Sequence, residues 1–249
     1  MSSQHNPTMR VLAVLELVSK GQGGYSLSEM SRQLGIPSST LYPILHTLRG
    51  QKYLNYNENR QIYSLGVRLF EVGSRVQGTE FFREAISIMT NVVEACGETC
   101  HLGVLDLGDI FYLAKVDSPQ PVRMYSIAGK RLPAYATALG KALLRGYSME
   151  ALRQLYPQGL KPLTAGTITD FEALHAQLHS DDIFFYESEE CSESVCCIAT
   201  PLYRQGVVVA SCSVSLPLFR YNAQKRASIE LALKEALTRF DSIAEQFVF

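Results

Sequence analysis

YSLSEMSRQLGIPSSTLYPILHTLRG, residues 25–50, decides how the first part of this chain folds. Ser26 followed three residues later by Glu29 has capping-box spacing: the hydroxyl accepts from a first-turn amide while the carboxylate reaches back to the N-cap amide. Met30 and Leu34, four residues apart, face inward from one side of that helix. Gly35 ends it, Ile36 plugs the turn, and Pro37-Ser38 opens a second helix with the apolar stripe Leu41, Ile44, Leu45 and Leu48, closed by Gly50. Two short helices joined by a tight glycine-containing turn make a helix-turn-helix, although a plain αα-hairpin has the same local pattern. The next residues separate the two. KYLNY (52–56) and QIYSL (61–65) have strand composition, with Asn57-Glu58-Asn59-Arg60 as turn chemistry between them. A hairpin directly after a helix-turn-helix is a wing.

Upstream, Met9, Val11, Leu12, Leu15 and Val18 recur at helical spacing until Gly21, Gly23 and Gly24. Residues 1–8 are polar, contain Pro7, and are expected to form a disordered tail. Residues 9–65 then form the winged domain. Downstream, GVRLFEVGSRV reads as a linker helix over 66–78, and FFREAISIMTNVVEAC opens a second domain, 79–249. There HLGVLDL, DIFYLAKV and VRMYSIA are strand-like, PAYATALGKALLRG passes from loop into helix, and MEALRQLY and DFEALHAQLHS are helical. IFFYESEE, VCCIATPLY and VVVASCSVSLP are strands again, and an amphipathic helix runs from Asn222 to Phe247. Strands bracketed by helices without strict alternation give an α+β domain with a largely antiparallel sheet.

The 249 residues carry a net charge of -1, unevenly placed. Residues 1–75 hold eight Lys/Arg against four Asp/Glu, and a basic head on an acidic body points modestly to a polyanion partner. No leader pattern occurs and no apolar run approaches the ~18 residues of a membrane span, so a soluble, cytoplasmic protein with no membrane partner is expected. The six cysteines (96, 100, 191, 196, 197 and 212) lack the spacing of a small secreted disulfide framework and read as reduced thiols.

With these elements in this order, the chain resembles the IclR family of bacterial transcription regulators over about residues 9–247. LSEMSRQLGIPSSTLYPILHTL, YSLGVRLFEVG, GKRLPAYATALGKALL, ESEECSESVCCIATPLY and ASCSVSLP carry the resemblance together. It implies a homodimer or homotetramer that binds operator DNA through the winged domains. It also implies a GAF-like C-terminal domain that senses a small metabolite, often a carboxylic acid, and a repressor in preference to an activator.

A recognition helix offers short polar side chains to the major groove from its first turns. Ser38, Ser39, Thr40 and Tyr42 sit there; the hydroxyls suit base edges or phosphates, and Tyr42 can stack, bond a phosphate or pack. Arg32, His46, Arg49 and Lys52 are placed for phosphates, and Arg60 for the wing tip. The family usually has arginine where this chain has Pro43. Proline inside a helix removes a donor and clashes with the preceding turn, so either a kink or a late helix start is expected.

Carried over residue by residue, the resemblance puts effector contacts on Ala138 and Leu139, just before Gly140-Lys141, where the N–H groups opening a helix suit a carboxylate. It puts an acidic contact on Glu187, where aspartate is commoner, a thiol contact on Cys197, and hydroxyls on Ser213 and Ser215, which alternate onto one strand face. Met124, Ile127, Leu132 and Val195 are the implied apolar wall. Such a pocket suits a sugar acid or another polar organic acid; an aromatic acid comes second, from Phe184, Phe185, Tyr135 and Tyr125.

Two other classes fit less. Cys197 and His101 could be imagined as nucleophile and base, but no catalytic motif surrounds them, so no enzyme is expected. Cys96, Cys100 and His101, with Cys191, Cys196 and Cys197, suggest a metal- or thiol-responsive regulator, though neither cluster has the C-x2-C spacing of a structural zinc site. No metal and no cofactor are expected.

Overall fold

The computed structural model describes residues 6–21 and 23–246, and the chain divides into two compact units between Thr79 and Glu80. The first contains α1 (Asn6–Lys20), α2 (Leu27–Leu34), α3 (Ser38–Gly50), β1 (Leu54–Asn57), β2 (Ile62–Leu65) and α4 (Val67–Gln77). Helix α1 starts earlier than the expected Met9: Asn6, Pro7 and Thr8 are helical, because proline in a first turn lacks only an amide that has no helical partner there. The rest of the expected disordered tail lies outside the described residues.

The capping box forms as read. Ser26 Oγ accepts from the Glu29 amide at 3.3 Å, and Glu29 Oε2 accepts from the Ser26 amide at 2.7 Å. Gly35 ends α2 at φ 64°, the left-handed conformation that glycine adopts without a Cβ penalty. Helix α3 does not start late. It runs from Ser38 through Pro43 to Gly50. Pro43 cannot donate to the Ser39 carbonyl, but Leu41 and Leu45 are completely buried on either side of it with Met30, Val14 and Val18. Each such leucine contributes about 2–5 kcal/mol, comparable with or greater than the roughly 3 kcal/mol cost of an interior proline.

Strands β1 and β2 pair antiparallel, with Leu54 opposite Leu65 and Asn57 opposite Ile62. Asn57 Oδ1 accepts from the Arg60 amide to shape the wing turn. Tyr25 and Tyr63 exchange backbone hydrogen bonds of 2.9 and 2.8 Å, tying the entry of α2 to the wing. This close approach needs Gly24, where a Cβ would stand 2.5 Å from the Tyr63 carbonyl oxygen.

The second unit holds α5 (Glu80–Cys96), β3 (Thr99–Asp106), β4 (Asp109–Val116), β5 (Arg131–Pro133), α6 (Ala138–Leu143), α7 (Met149–Leu155), α8 (Phe171–Leu178), β6 (Phe185–Ser188), β7 (Val195–Arg204), β8 (Val207–Pro217) and α9 (Ala223–Asp241). The strands form one antiparallel sheet in the order β5-β4-β3-β8-β7-β6. Alternation divides its residues. Cys100, Leu102, Cys212, Val214, Cys196 and Ile198 meet α5 and α9 in one core. Ile110, Tyr112, Phe185 and Ala199 meet α6 and α8 in another.

Two expectations are corrected. VRMYSIA (122–128) is not a strand: Tyr125 and Ile127 are 84% and 54% exposed, and the sheet edge passes to the three-residue β5 instead. Without a covering layer, its apolar alternation has no buried face to fix a register. The last helix stops at Asp241 rather than Phe247, because the chain turns back to bury Ile243; residues 247–249 lie outside the described ones.

Candidate functional sites: a DNA-reading helix and a buried polar pocket

On α3, Leu41, Leu45 and Leu48 face the core while Ser38, Ser39, Tyr42, His46 and Arg49 are exposed and Thr40 is half-buried. Arg32 on α2 and Arg60 on the wing are exposed as well. The helical period therefore presents short hydroxyls, an aromatic pair (Tyr42 and His46, ring centroids 6.2 Å apart) and a cation on one element. Arg49 is partly committed: its guanidinium lies over the Tyr56 ring and 3.3 Å from Glu58, joining the end of α3 to the wing. Pro43 is itself exposed, and its carbonyl accepts from Thr47 Oγ1 at 2.9 Å.

In the second unit, antiparallel register brings distant residues onto the face covered by α6. Ser215 lies opposite both Thr99 and Cys197, Ser213 opposite both His101 and Ala199, and Glu187 opposite Cys197. Cys197 Sγ and Ser215 Oγ are 3.1 Å apart, Ser215 Oγ and His101 Nδ1 3.5 Å, and His101 Nε2 and Ser126 Oγ 2.7 Å. This polar row crosses three strands inside the domain. A cleft of about 390 Å³ opens beside Glu187 and Cys197, with Glu190, Gln177 and Ile168 in its wall; its size suits a small ligand. A larger cleft of about 630 Å³, between Arg145, Tyr203 and Val207, contains none of these polar side chains, and the smaller cleft is the one the chemistry favours.

Helix α6 meets this face at its first turn. Thr137 Oγ1 accepts from the Gly140 amide at 2.9 Å and the Thr137 carbonyl accepts from that of Lys141. The N–H groups of Ala138 and Leu139 are left without an acceptor among the described residues. Lys141 is buried and donates to Glu190 Oε1 and to the Tyr186 carbonyl, while the other Glu190 carboxylate oxygen is buried without a partner. The Glu190 amide donates to Glu187 Oε2 at 3.1 Å, so the Lys141–Glu190 pair anchors the turn that carries Glu187.

Burial controls the electrostatics. It raises the Glu187 carboxyl to about 7 despite the lowering effect of Cys197, the Glu190 amide and Lys141. It lowers His101 to about 3, with Lys115 acting in the same direction, so the imidazole is neutral. The Cys197 thiol is pushed up by burial and then by Glu187. Cys96 and Cys191 rise to about 11 and Cys196 to about 12, each mainly through burial. Raised thiols are poor nucleophiles and poor metal ligands. The two cysteine-histidine clusters are also split by strand alternation: Cys100 and Cys196 face one core, His101 and Cys197 the other face. Among the described residues no group of three His, Cys, Asp or Glu side chains could hold a metal ion.

Of the implied wall, Leu132 on β5 packs against the α6-side core, Val195 and Met124 are half-buried, and Ile127 is directed to solvent, which corrects its place as a pocket residue. Tyr112 and Ser126 were missed by sequence reading, and His101 entered it only as an imagined base or metal ligand. Tyr112 shares the face of His101 because of a bulge between Leu102 and Gly103, which no local pattern announces.

A winged helix-turn-helix followed by a separate antiparallel-sheet domain defines a DNA-binding regulator. The chain belongs to the IclR family of bacterial transcriptional regulators: the IclR helix-turn-helix domain matches residues 7–58 and the IclR C-terminal domain residues 73–241. It is 34% identical to the HTH-type transcriptional regulator KdgR of Escherichia coli K12, over 87% of this chain and 84% of that protein. An IclR transcriptional regulator from Alicyclobacillus acidocaldarius shares its fold with a TM-score of 0.86 at 23% identity, covering 96% of this chain and 98% of that one. An IclR homologue from Microbacterium hydrocarbonoxydans, solved with 4-hydroxybenzoate, matches with a TM-score of 0.79 at 24% identity over 95% and 98% of the two chains. These relatives are regulators of transcription, not enzymes. Among the described residues no helix is long and apolar enough to cross a membrane.

Proposed function

We propose that this protein is an operator-binding repressor, acting in the cytoplasm as a homodimer or homotetramer, and released or retained by a small hydroxylated carboxylic acid, a sugar acid foremost. One observation carries the ligand class: buried Glu187 and Ser215 and half-buried Cys197 form a polar row on the face covered by α6, where the Ala138 and Leu139 amides have no acceptor among the described residues. Amides hold a carboxylate without a cationic side chain, and a carboxyl with two hydroxyl-type partners suits the hydroxyls of the carbon chain. The 4-hydroxybenzoate bound by the Microbacterium homologue favours an aromatic acid as the second reading.

In this reading Ser38, Ser39, Thr40 and Tyr42 read the major groove, with Arg32, His46, Arg49 and Arg60 on the backbone. The effector alters operator affinity only through its differential affinity for two arrangements of the paired heads. The test is a double variant, Glu187→Ala with Ser215→Ala. Operator binding by gel shift is expected to match the parent protein, while the response to an acid that raises the parent's melting temperature is lost. A variant that still responds normally sinks the pocket assignment.

A further inference from the structure

The turn that joins β6 to β7 is held from several sides. Thr167 Oγ1 donates to the Glu190 carbonyl at 2.6 Å, and Thr164 Oγ1 donates to the same oxygen at 3.2 Å. The Thr167 hydroxyl accepts in turn from the amides of Leu163 and Thr164 at 3.0 and 2.9 Å, which fastens the segment carrying both threonines to the turn. Gly166 passes so close that a Cβ there would stand 3.0 Å from the Glu189 carbonyl oxygen. The Glu190 amide donates to Glu187 Oε2, and Glu190 Oε1 accepts from Lys141 Nζ at 2.5 Å. Every polar atom of Glu190 but one is thus committed. Its Oε2 is buried and has no partner among the described residues, on a side chain 9% exposed. Glu190 also lines the cleft of about 390 Å³ that Glu187 and Cys197 line. A buried carboxylate oxygen without a donor costs stability, and a residue fixed at its amide, its carbonyl and Oε1 is not free to turn toward one.

We infer that Glu190 is a specificity-determining residue of the effector site: its Oε2 accepts from a hydroxyl of the ligand, next to the hydroxyl taken by Glu187. The inference rests on the proposed effector pocket and narrows its ligand class to acids with at least two hydroxyls on the carbon chain. Lys141 already balances the charge of Glu190, so the donor need not be a cation. A hydrogen bond to an ionised acceptor is about twice as strong as a neutral one. A site with such a buried acceptor rejects a ligand that lacks the donor, because the acceptor is then left unpaired.

The test is Glu190→Gln in the full-length protein, which keeps an acceptor for Lys141 and turns the unpaired acceptor into a donor. Should that protein not fold, Lys141→Met with Glu190→Met removes both charges at once, an exchange that buried ion pairs tolerate, and carries the same expectation. Calorimetry compares D-gluconate and D-galacturonate with 2-hydroxyhexanoate, which has a six-carbon chain and one hydroxyl. The parent is expected to bind a polyhydroxylated acid more tightly than 2-hydroxyhexanoate. The variant is expected to lose at least tenfold in affinity for that acid, with 2-hydroxyhexanoate changed less than threefold or bound by neither protein. Equal binding of the polyhydroxylated acid by parent and variant overturns the role of Glu190 and leaves the proposed function standing. So does an equal loss for both kinds of acid, which would make Glu190 structural, or a parent that binds 2-hydroxyhexanoate at least as tightly. If none of the three acids binds the parent, the ligand class fails, and this inference with it.

Discussion

Glu187 sits where burial, a thiol and the Lys141–Glu190 pair meet, and its carboxyl, raised to about 7, makes the pocket sensitive to pH. The groups facing it are Cys197, Cys191, Tyr112, Glu190 and Lys141. A carboxyl raised on folding binds its proton more tightly in the native state, so its stabilising effect is complete below the unfolded value of 4.5 and fades as pH rises through about 7. The parent protein is expected to lose about 3 kcal/mol of unfolding free energy over that interval relative to Glu187→Gln, read by urea denaturation at a series of pH values. Parallel curves for the two proteins would show that Glu187 does not titrate there. An anionic effector should also bind the parent more weakly above pH 7, as the ionised Glu187 repels it, and Glu187→Gln should flatten that dependence in calorimetry.

Among the elements, α2 and α3 carry opposite local signals. The capping box at Ser26 agrees with the fold, and Ser26→Ala should cost about 1 kcal/mol in chemical denaturation by leaving an orphan amide. Pro43 disagrees with it and is overruled by the buried leucines on the other side of α3. Pro43→Ala should stabilise the protein by about 1–3 kcal/mol, because the Ser39 carbonyl regains a donor; a destabilised variant would show that the turn is adapted to proline. These elements were legible because caps, glycine stops and a 3.6-residue stripe are local. VRMYSIA and the end of α9 were misread for the same reason. Their apolar patterns are real, but whether a layer covers them depends on segments far along the chain.

At the scale of the molecule, residues 1–75 carry a basic excess while the remaining residues have an acidic balance. Operator affinity should fall steeply between 50 and 200 mM salt, and Arg60→Ala should make the log–log slope shallower by about one, measured by fluorescence anisotropy. An unchanged slope would take Arg60 off the phosphate backbone. The proposed pairing of two copies on one duplex predicts a pseudo-palindromic footprint with half-sites a helical turn, or a multiple of it, apart, read by DNase footprinting.

The amino-acid sequence by itself determined the winged helix-turn-helix, the linker helix, the antiparallel sheet and the exposed face of α3, because each follows from a period, a cap or a turn residue read within a few positions. It could carry Glu187, Cys197 and Ser215 as a list but not as a site. Only the tertiary structure decided that they meet His101 and Ser126 in one row and that Ile127 leaves it. Strand pairing joins residues more than a hundred positions apart, and a single bulge in β3–β4 sets which side chains share a face, so no local signal could have encoded the pocket.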